Sequence, residues 1–313
     1  MPTAREIFLS HLQAYSDAVN HESVVSGAPS EHRKNARARI IRNGLAVVSF
    51  NILEDFLRRR AKEVLAHIGR AGIRFADLPD ALKQMLTVKA LNATAFQLRS
   101  LRPNRDEVAF AQEMAQQVAS TMMLPFDACD VSFGYEGSNL TVIVVEDFLR
   151  ALNVEKPWES IGIVAARAGI GTLRSGARAA FDGIARRRHE AAHDAQTDVQ
   201  PSDLQSAHLD VLGIAFGFDA IASVAALEFR LLNRLVMSGK EKVQQKSVKM
   251  YFIDQRKDRR FGAKREGTAR YHRCFNELQE AQALSREICL RTREICVIRS
   301  VQQIPTDWEL VAL

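Results

Sequence analysis

The chain has few of the residues that interrupt or cross-link a fold. Its 313 residues include only 4 cysteines, 16 glycines and 8 prolines. No CxxC pair and no disulfide spacing occurs among the cysteines, Cys129, Cys274, Cys289 and Cys296, which argues against a zinc ribbon or a disulfide framework. A reducing compartment, the cytoplasm, is therefore expected. The scarcity of glycine and proline favours helix over a turn-rich β fold.

The sequence also lacks an uninterrupted apolar leader and a clear membrane span. Charged and polar residues are scattered through the first 19 positions, so a signal peptide is not expected. The most apolar stretch, residues 211–227, carries Asp219 at its middle, where a charge would be costly in hydrocarbon. We predict that this stretch is a buried helix and that the protein has no membrane partner.

No phosphate-binding loop is recognisable. The glycine-containing stretch 169–176 lacks the lysine of a P-loop and the G-x-G-x-x-G spacing of a dinucleotide-binding loop. A nucleophile elbow is not visible either. We therefore expect no cofactor. The net charge of +6 and the pI near 9.3 permit, without requiring, a partner with a phosphate backbone.

The clearest pattern that is present predicts an amphipathic helix starting near Glu31. Five apolar residues recur along it at spacings of three and four: Ile41, Leu45, Val48, Ile52 and Phe56. Such a stripe is expected to face a core, with Glu54 and Asp55 solvated on another face. Five basic residues at its start would form either an RNA-tracking surface or a solvated face: Arg33, Lys34, Arg37, Arg39 and Arg42.

Further helical patterns make residues 1–238 a predicted helical domain. Five glycines between residues 158 and 193 predict two helices with a break rather than one helix, because each glycine weakens a helix by about 1 kcal/mol. A long apolar helix is predicted from about residue 201 to residue 237. Within it, Gly213 and Gly217 are four residues apart and would let another helix approach closely.

The composition changes after Gly239. Residues 248–254 and 294–300 have the pattern of strands, and a helix is predicted between them at 274–292. We therefore predict a small basic α+β module of ββαβ type at 247–313. Its basic side chains alternate with four aromatic ones, Tyr251, Phe252, Phe261 and Tyr271. This composition fits either a nucleic-acid surface or a small sheet with an aromatic core.

The strongest functional signal is the segment RRRHEAAHD, residues 186–194. Within it, His189, Glu190 and His193 match HExxH, and residues four apart on a helix can share a zinc ion. Glu190 would then activate a metal-bound water. A third ligand would come from downstream: His208, Asp210 or Glu228. Three consecutive arginines beside a dication are electrostatically unfavourable.

Two other interpretations of the same segment need no metal. A fixed cation and a titratable imidazole are the parts needed to cleave RNA without a metal ion. An imidazole can accept the 2′-hydroxyl proton or protonate the departing 5′-oxygen, and a guanidinium can stabilise the charge of the transition state. Alternatively, an arginine-rich helix end is simply a solvated face.

The segment from Arg188 to His193 resembles the R-x4-6-H signature of HEPN domains, including the polar residue after the arginine and the small residue before the histidine. Residues 42–60, RNGLAVVSFNILEDFLRRR, look like the early helix of HEPN proteins of the RiboL-PSP group. The resemblance covers roughly residues 1–238. It implies a mainly α, HEPN-like helical bundle and a metal-independent endoribonuclease that acts on RNA. Its composite site would form at the interface of a homodimer.

The resemblance also implies roles for single residues. Arg188 would bind and stabilise phosphate, His193 would be the acid/base, and His189 would assist or orient. Arg186 and Arg187 are alternative holders of the arginine role and would bind substrate. On a regular helix Arg188 and His193 point about 140° apart, whereas residues seven apart nearly superpose.

The resemblance has biological implications as well. HEPN ribonucleases commonly serve as toxins or antiviral effectors, so an antitoxin or a defence-system partner protein is a further expectation. The alternative function is that of a HEPN interaction protein without catalytic activity.

Overall fold

The computed structural model describes residues 2–100, 106–135, 137, 139–171, 173, 176–194 and 196–311. It is mainly helical, with a small C-terminal mixed sheet. The helices are α1 (Ala4–Val19), α2 (His32–Gly69), α3 (Asp80–Gln84), α4 (Ala90–Arg99), α5 (Glu107–Ser120), α6 (Val142–Ala151), α7 (Pro157–Ala168), α8 (Ala177–His193), α9 (Pro201–Arg230), α10 (Arg234–Met237) and α11 (Leu278–Thr292). A π-helical turn, Met85–Lys89, joins α3 to α4. The strands are β1 (Met250–Gln255), β2 (Phe261–Arg265), β3 (Arg273–Phe275), β4 (Ile295–Arg299) and β5 (Pro305–Leu310).

The core of the helical part lies between α2, α7, α8 and α9. Helix α2 packs against α1, α8 and α9, and α9 also packs against α7. Helix α9 is long and apolar enough to cross a membrane by composition, but most of its apolar window is buried inside the protein. The predicted burial of residues 211–227 is therefore confirmed, and Asp219 is only 4% exposed.

Two glycines of α9 allow α7 to approach its backbone. A Cβ atom on Gly217 would overlap the carbonyl oxygen of Ile161, and one on Gly213 would lie 3.2 Å from side-chain atoms of Ile170 and Leu173. Side chains at these positions would push the helices apart, since cores are packed nearly as densely as organic crystals. The predicted close approach of another helix is confirmed at Gly217, whereas Gly213 lies against the segment that follows α7.

The predicted break between residues 158 and 193 is also confirmed. Helix α7 ends at Ala168 and α8 begins at Ala177. Gly169 ends α7 with φ at 113°, and Gly176 precedes α8 with φ at 88°. Side chains rarely adopt such angles, so these two glycines allow the chain to leave one helix and start the next.

The apolar stripe predicted along α2 is only partly right. Ile52 and Phe56 are buried, Ile41 and Leu45 are half-buried, and Val48 is 42% exposed. The side of α2 that faces the core is rotated from the predicted stripe. It carries four buried apolar residues: Ala46, Phe50, Leu53 and Leu57.

The predicted solvation of Glu54 is wrong. This side chain is buried, accepts a hydrogen bond of 2.6 Å from the Leu140 amide and lies 3.1 Å from the Arg58 guanidinium. A buried carboxylate is stabilised when donors surround it, and here a loop distant in sequence supplies one of them. The neighbouring Asp55 is half-exposed and pairs with Arg59 at 2.7 Å.

The C-terminal sheet has the strand order β3-β2-β1-β4-β5. Strands β1 and β4 are parallel, and the other neighbours are antiparallel. The predicted ββαβ pattern thus lacked two strands, β3 and β5. Cys274 was predicted to start the helix but lies in β3, and α11 begins at Leu278. Both missed strands are edges, where short strands and charged side chains are common.

The two faces of the sheet have different partners. One face packs on α11 and includes Tyr251 and Ile253. The other face carries Phe252, Val297 and Trp308 into the core of the helical part. Tyr251 and Phe252 therefore belong to cores, as the structural interpretation of the aromatic residues predicted. The division of the chain into domains at 1–238 and 247–313 stays a prediction.

A buried ion pair fixes the sheet to the end of α7. The Arg299 guanidinium makes two hydrogen bonds to Asp254, at 2.7 and 3.0 Å, and both side chains are nearly inaccessible to solvent. Arg299 also stacks on the Phe252 ring and contacts the carbonyl oxygen of Ala168 at 3.4 Å. Bidentate pairing of this kind holds both planar groups in one geometry.

Candidate functional site

Helix α8 carries every residue of the predicted site. Its inward side contributes Ala180, Phe181 and Ile184 to the core. Arg186, His189, Glu190 and His193 are exposed, because spacings of three, four and seven residues place them on the opposite side of the helix. We call these four residues the α8 face.

Two imidazoles of the α8 face lie side by side. The ring centroids of His189 and His193 are 4.6 Å apart, and the rings are tilted by 50°. Neither imidazole forms a hydrogen bond to another residue in the described part of the chain. Both imidazoles are therefore accessible to a bound molecule.

Arg186 supplies the cation of the α8 face. Its Nε atom lies 3.9 Å from the Glu190 carboxylate, and its side chain is 74% exposed. An exposed pair at this distance contributes at most about 1 kcal/mol. The guanidinium can therefore turn from Glu190 to an anionic ligand at little cost.

Arg187 and Arg188 lie off the α8 face, and Arg187 interacts electrostatically with Tyr15 of α1 and Asp210 of α9. Both are half-buried, and Nε of Arg188 is buried without a hydrogen-bond partner among the described residues. Burial raises the pKa of the Asp210 carboxyl on α9, and the charge of Arg187 partly offsets this rise. Arg187 is thus placed to neutralise a carboxylate of the same chain.

The structure brings together three of the five predicted Arg and His residues. Arg186, His189 and His193 share one exposed side of α8, whereas Arg188 lies on the flank, as a regular helix requires. Within one chain, the guanidinium on the same side of α8 as His193 is therefore that of Arg186.

No third protein ligand for a metal ion at His189 and His193 is found among the described residues. No group of three His, Cys, Asp or Glu side chains close enough to hold a metal ion occurs among the described residues. Of the three expected ligands, His208 and Asp210 are half-buried on α9, and Glu228 accepts a hydrogen bond of 2.7 Å from Asn233. A zinc ion shared by His189 and His193 would lack the protein ligands typical of catalytic zinc sites.

The linker between α8 and α9 is held by a residue of α2. The buried Arg42 guanidinium donates to the carbonyl oxygens of Val199 at 2.7 Å and Val24 at 2.8 Å. It also donates to the Asp198 carboxylate and to the Ser26 hydroxyl. Arg42 is therefore neither an RNA-tracking nor a solvated residue. It fixes the chain directly after the α8 face.

Asn43 completes this attachment. Its amide nitrogen donates to the Thr197 carbonyl oxygen at 2.7 Å, and its oxygen accepts from the Val199 amide at 3.3 Å. Sequence reasoning did not assign this role to Arg42 and Asn43. The sequence feature that could have revealed this role is the position of Arg42. It stands four residues before the buried Ala46, so both residues lie on the side of α2 that faces the core.

Comparisons of the chain with protein-family models, with curated proteins and with solved structures found no match.

Proposed function

We propose that this protein is a metal-independent endoribonuclease. The observation that carries the proposal is the α8 face, where two neighbouring imidazoles, His189 and His193, are exposed on the same side of the helix as Arg186. These are the groups needed to move two protons and to stabilise a phosphorane-like transition state.

The reaction is transesterification within RNA. One imidazole removes the proton from a 2′-hydroxyl, whose oxygen attacks the adjacent phosphorus. The bond from phosphorus to the 5′-oxygen breaks, and an imidazolium protonates the departing oxygen. The products are a 2′,3′-cyclic phosphate and a free 5′-hydroxyl. The guanidinium stabilises the charge on the non-bridging oxygens during both bond changes.

We further propose that the helical part is a HEPN domain and that the working form is a homodimer. The resemblance of the segment from Arg188 to His193 supports this, as does the mainly helical architecture around α8. In a dimer, residues on the flank of α8 in one protomer can approach the His193 of the other, which would give Arg188 the role that the resemblance implies. A toxin or antiviral effector with a neutralising or regulatory partner protein is the biological role of such an enzyme.

The alternative function is an inactive HEPN interaction protein. The observation that favours it is the position of Arg188, which is half-buried and turned from His193 within the protomer. This alternative predicts a folded, self-associating protein that cleaves no RNA.

The proposal is tested by incubating the purified protein with 5′-labelled RNA, with and without EDTA, and analysing the product ends. Cleavage that resists EDTA and leaves 2′,3′-cyclic phosphates is expected for the wild type, and loss of cleavage is expected for His193→Ala. His11→Ala is the matched control, because His11 is an exposed histidine on α1. Absence of cleavage on structured and unstructured RNA would favour the interaction protein, and cleavage abolished by EDTA would contradict the mechanism.

A further inference from the structure

A second candidate site lies on the sheet, away from α8. A cavity of about 360 Å³ opens at the carboxyl ends of β1 and β4. Its described lining comes from the segments after these two parallel strands and from the loop before β3. The carboxyl ends of neighbouring parallel strands are common positions for ligand sites, and the volume is within the range of small-molecule pockets.

Tyr271 forms an aromatic wall of this cavity. Its ring lies on the backbone of β2 at Gly262, where a Cβ atom would come within 2.5 Å of the ring. The phenol donates a hydrogen bond of 3.3 Å to Asp254, which fixes the ring's orientation. The ring is half-exposed, unlike Tyr251 and Phe252 in the same module. An aromatic side chain held in this way can stack with a planar ligand.

Cations surround the same ring. The Arg256 guanidinium carbon lies 5.5 Å from the ring centroid, and Nζ of Lys264 lies 5.0 Å from it. Lys257 also lines the cavity. It is exposed and makes no ion pair with another described residue. Arg256 and Lys264 lie over the ring, so a ligand that packs against Tyr271 would meet positive charge there and at Lys257.

The carboxylates of the cavity are already paired with cations. Asp254 is held by Arg299 through two hydrogen bonds and by Lys264 at 3.3 Å. Asp258 lies 2.8 Å from Arg260 and 3.3 Å from Arg256. Positive charge exceeds negative charge around the opening, so an anion is the favoured ligand.

We propose that this cavity binds a nucleotide, with the base stacked on Tyr271 and the phosphate between Arg256 and Lys257. An aromatic wall lies beside Lys257, which has no ion pair among the described residues, and beside Arg256, which shares the Asp258 carboxylate with Arg260. These groups match the two parts of a nucleotide, a planar base and an anionic phosphate. The nucleotide has two sources, a free nucleoside monophosphate or a unit of single-stranded RNA. The site does not depend on the α8 face, so it can exist whether or not the protein is a ribonuclease.

The test is titration calorimetry of the full chain with adenosine monophosphate, adenosine, inorganic phosphate and a six-nucleotide oligoadenylate. Adenosine monophosphate is expected to bind at least about ten-fold more tightly than adenosine or phosphate alone, because stacking and charge act together. Tyr271→Leu should weaken nucleotide binding by about ten-fold and leave phosphate binding unchanged. Tyr271→Phe, which keeps the ring, should bind nearly as the wild type does.

Substitutions of basic residues test whether binding depends on this cavity or only on the positive charge of the protein as a whole. Arg256→Gln with Lys257→Gln should weaken binding of both nucleotide and phosphate. Arg259→Gln is the matched control, since Arg259 is exposed in the same turn but does not line the cavity. The proposal would be overturned if neither adenosine monophosphate nor the oligonucleotide bound more tightly than phosphate, or if binding were insensitive to Tyr271→Leu.

The source of the nucleotide is identified by comparing binding of the oligoadenylate with binding of adenosine monophosphate. Tyr271-dependent binding of the oligonucleotide alone would identify an RNA strand as the ligand, and equal binding of the monophosphate would identify a free nucleotide. Both results support the site. The His193→Ala protein should bind as the wild type does, so failure of the ribonuclease proposal leaves this test intact.

Discussion

Trp308 in β5 donates a hydrogen bond of 2.7 Å from Nε1 to Oδ2 of Asp219 in α9. The other carboxylate oxygen accepts from Arg60 of α2 at 2.6 Å and from Ser223 at 2.8 Å. The charge that excluded a membrane span in the sequence is thus compensated inside the protein by three donors. One carboxylate joins two core helices to the sheet.

Removing this carboxylate charge should destabilise the whole protein. Asp219→Asn removes the more buried of the two carboxylates that pair with Arg60, and Glu63 at 2.6 Å remains. We expect a loss of about 3 kcal/mol in the free energy of unfolding, the lower end of the range for a broken buried ion pair. Urea unfolding followed by circular dichroism measures the change. Asp55→Asn removes an exposed ion pair of α2 instead and should cost less than about 1 kcal/mol. Equal losses in the two variants would contradict this account.

The indole donor can be tested alone. Trp308→Phe keeps an aromatic ring against Phe8 and Phe216 but removes the hydrogen bond to Asp219. Because Arg60 and Ser223 still hold the carboxylate, the expected loss is smaller, about 1–3 kcal/mol. A loss as large as that of Asp219→Asn would mean that the ring, rather than its donor, dominates the contact.

The linker after the α8 face should depend on Arg42. Arg42→Gln removes donors from two carbonyl oxygens and from Asp198, and unsatisfied buried groups cost about 1–3 kcal/mol each. Hydrogen exchange should therefore rise at 196–200. Arg37→Gln, an exposed change on the same helix, should leave exchange unaltered. Unchanged exchange in Arg42→Gln would show that Asn43 alone holds the linker.

Stability should fall between about pH 7 and pH 5 because of two histidines. Burial lowers the pKa of His67 and His208 below the ordinary value of 6.5, and Arg60 lowers that of His67 further. Both therefore bind protons less readily in the folded protein than in the unfolded chain. Their contribution is full above pH 6.5 and is lost as pH falls toward the folded pKa values.

Substitution shows whether these two groups are responsible. The double variant His67→Gln, His208→Gln should have a shallower dependence of unfolding free energy on pH over this interval. Its control is the double variant His11→Gln, His272→Gln, in which both positions are exposed. If the control flattens the dependence as much as the test variant does, the assignment is wrong.

The arginine of the proposed ribonuclease can be identified by two matched substitutions. Arg186 shares the side of His193, so Arg186→Gln should lower the cleavage rate by about 10²–10³-fold, as loss of a donor to a transition state does. Arg188→Gln should lower it less in a site built within one protomer. The reverse order of effects would instead assign the role to Arg188 across a dimer interface.

Glycine positions predicted two features of the helical part correctly, whereas periodicity identified the core-facing side of α2 only in part. The break between α7 and α8 and the close approach at Gly213 and Gly217 both follow from the absence of a side chain, which is a local property. The arrangement of the α8 face was likewise predictable, since spacings of four and seven residues determine which side chains share one side of a helix.

Partners distant in sequence decided the features that were missed. Glu54 and Arg42 were expected in solvent because their residue types are rarely buried, but loops more than 80 and 150 residues away supply their hydrogen-bond partners. In the sheet, Tyr271 and Tyr251 belong to the same basic and aromatic composition, yet one lines a cavity and the other lies in a core. Amino-acid composition alone cannot distinguish the position of Tyr271 from that of Tyr251.

The contact between Gly169 and Gln303 limits which residues can replace Gly169 as the protein diverges. A Cβ atom on Gly169 would overlap the carbonyl oxygen of Gln303 in the turn between β4 and β5. The end of α7 and this turn can therefore change during evolution only in concert. Homologous chains that keep the turn should keep glycine at position 169. Chains that have lost the sheet should retain only the weaker preference imposed by a positive φ angle, which asparagine also tolerates.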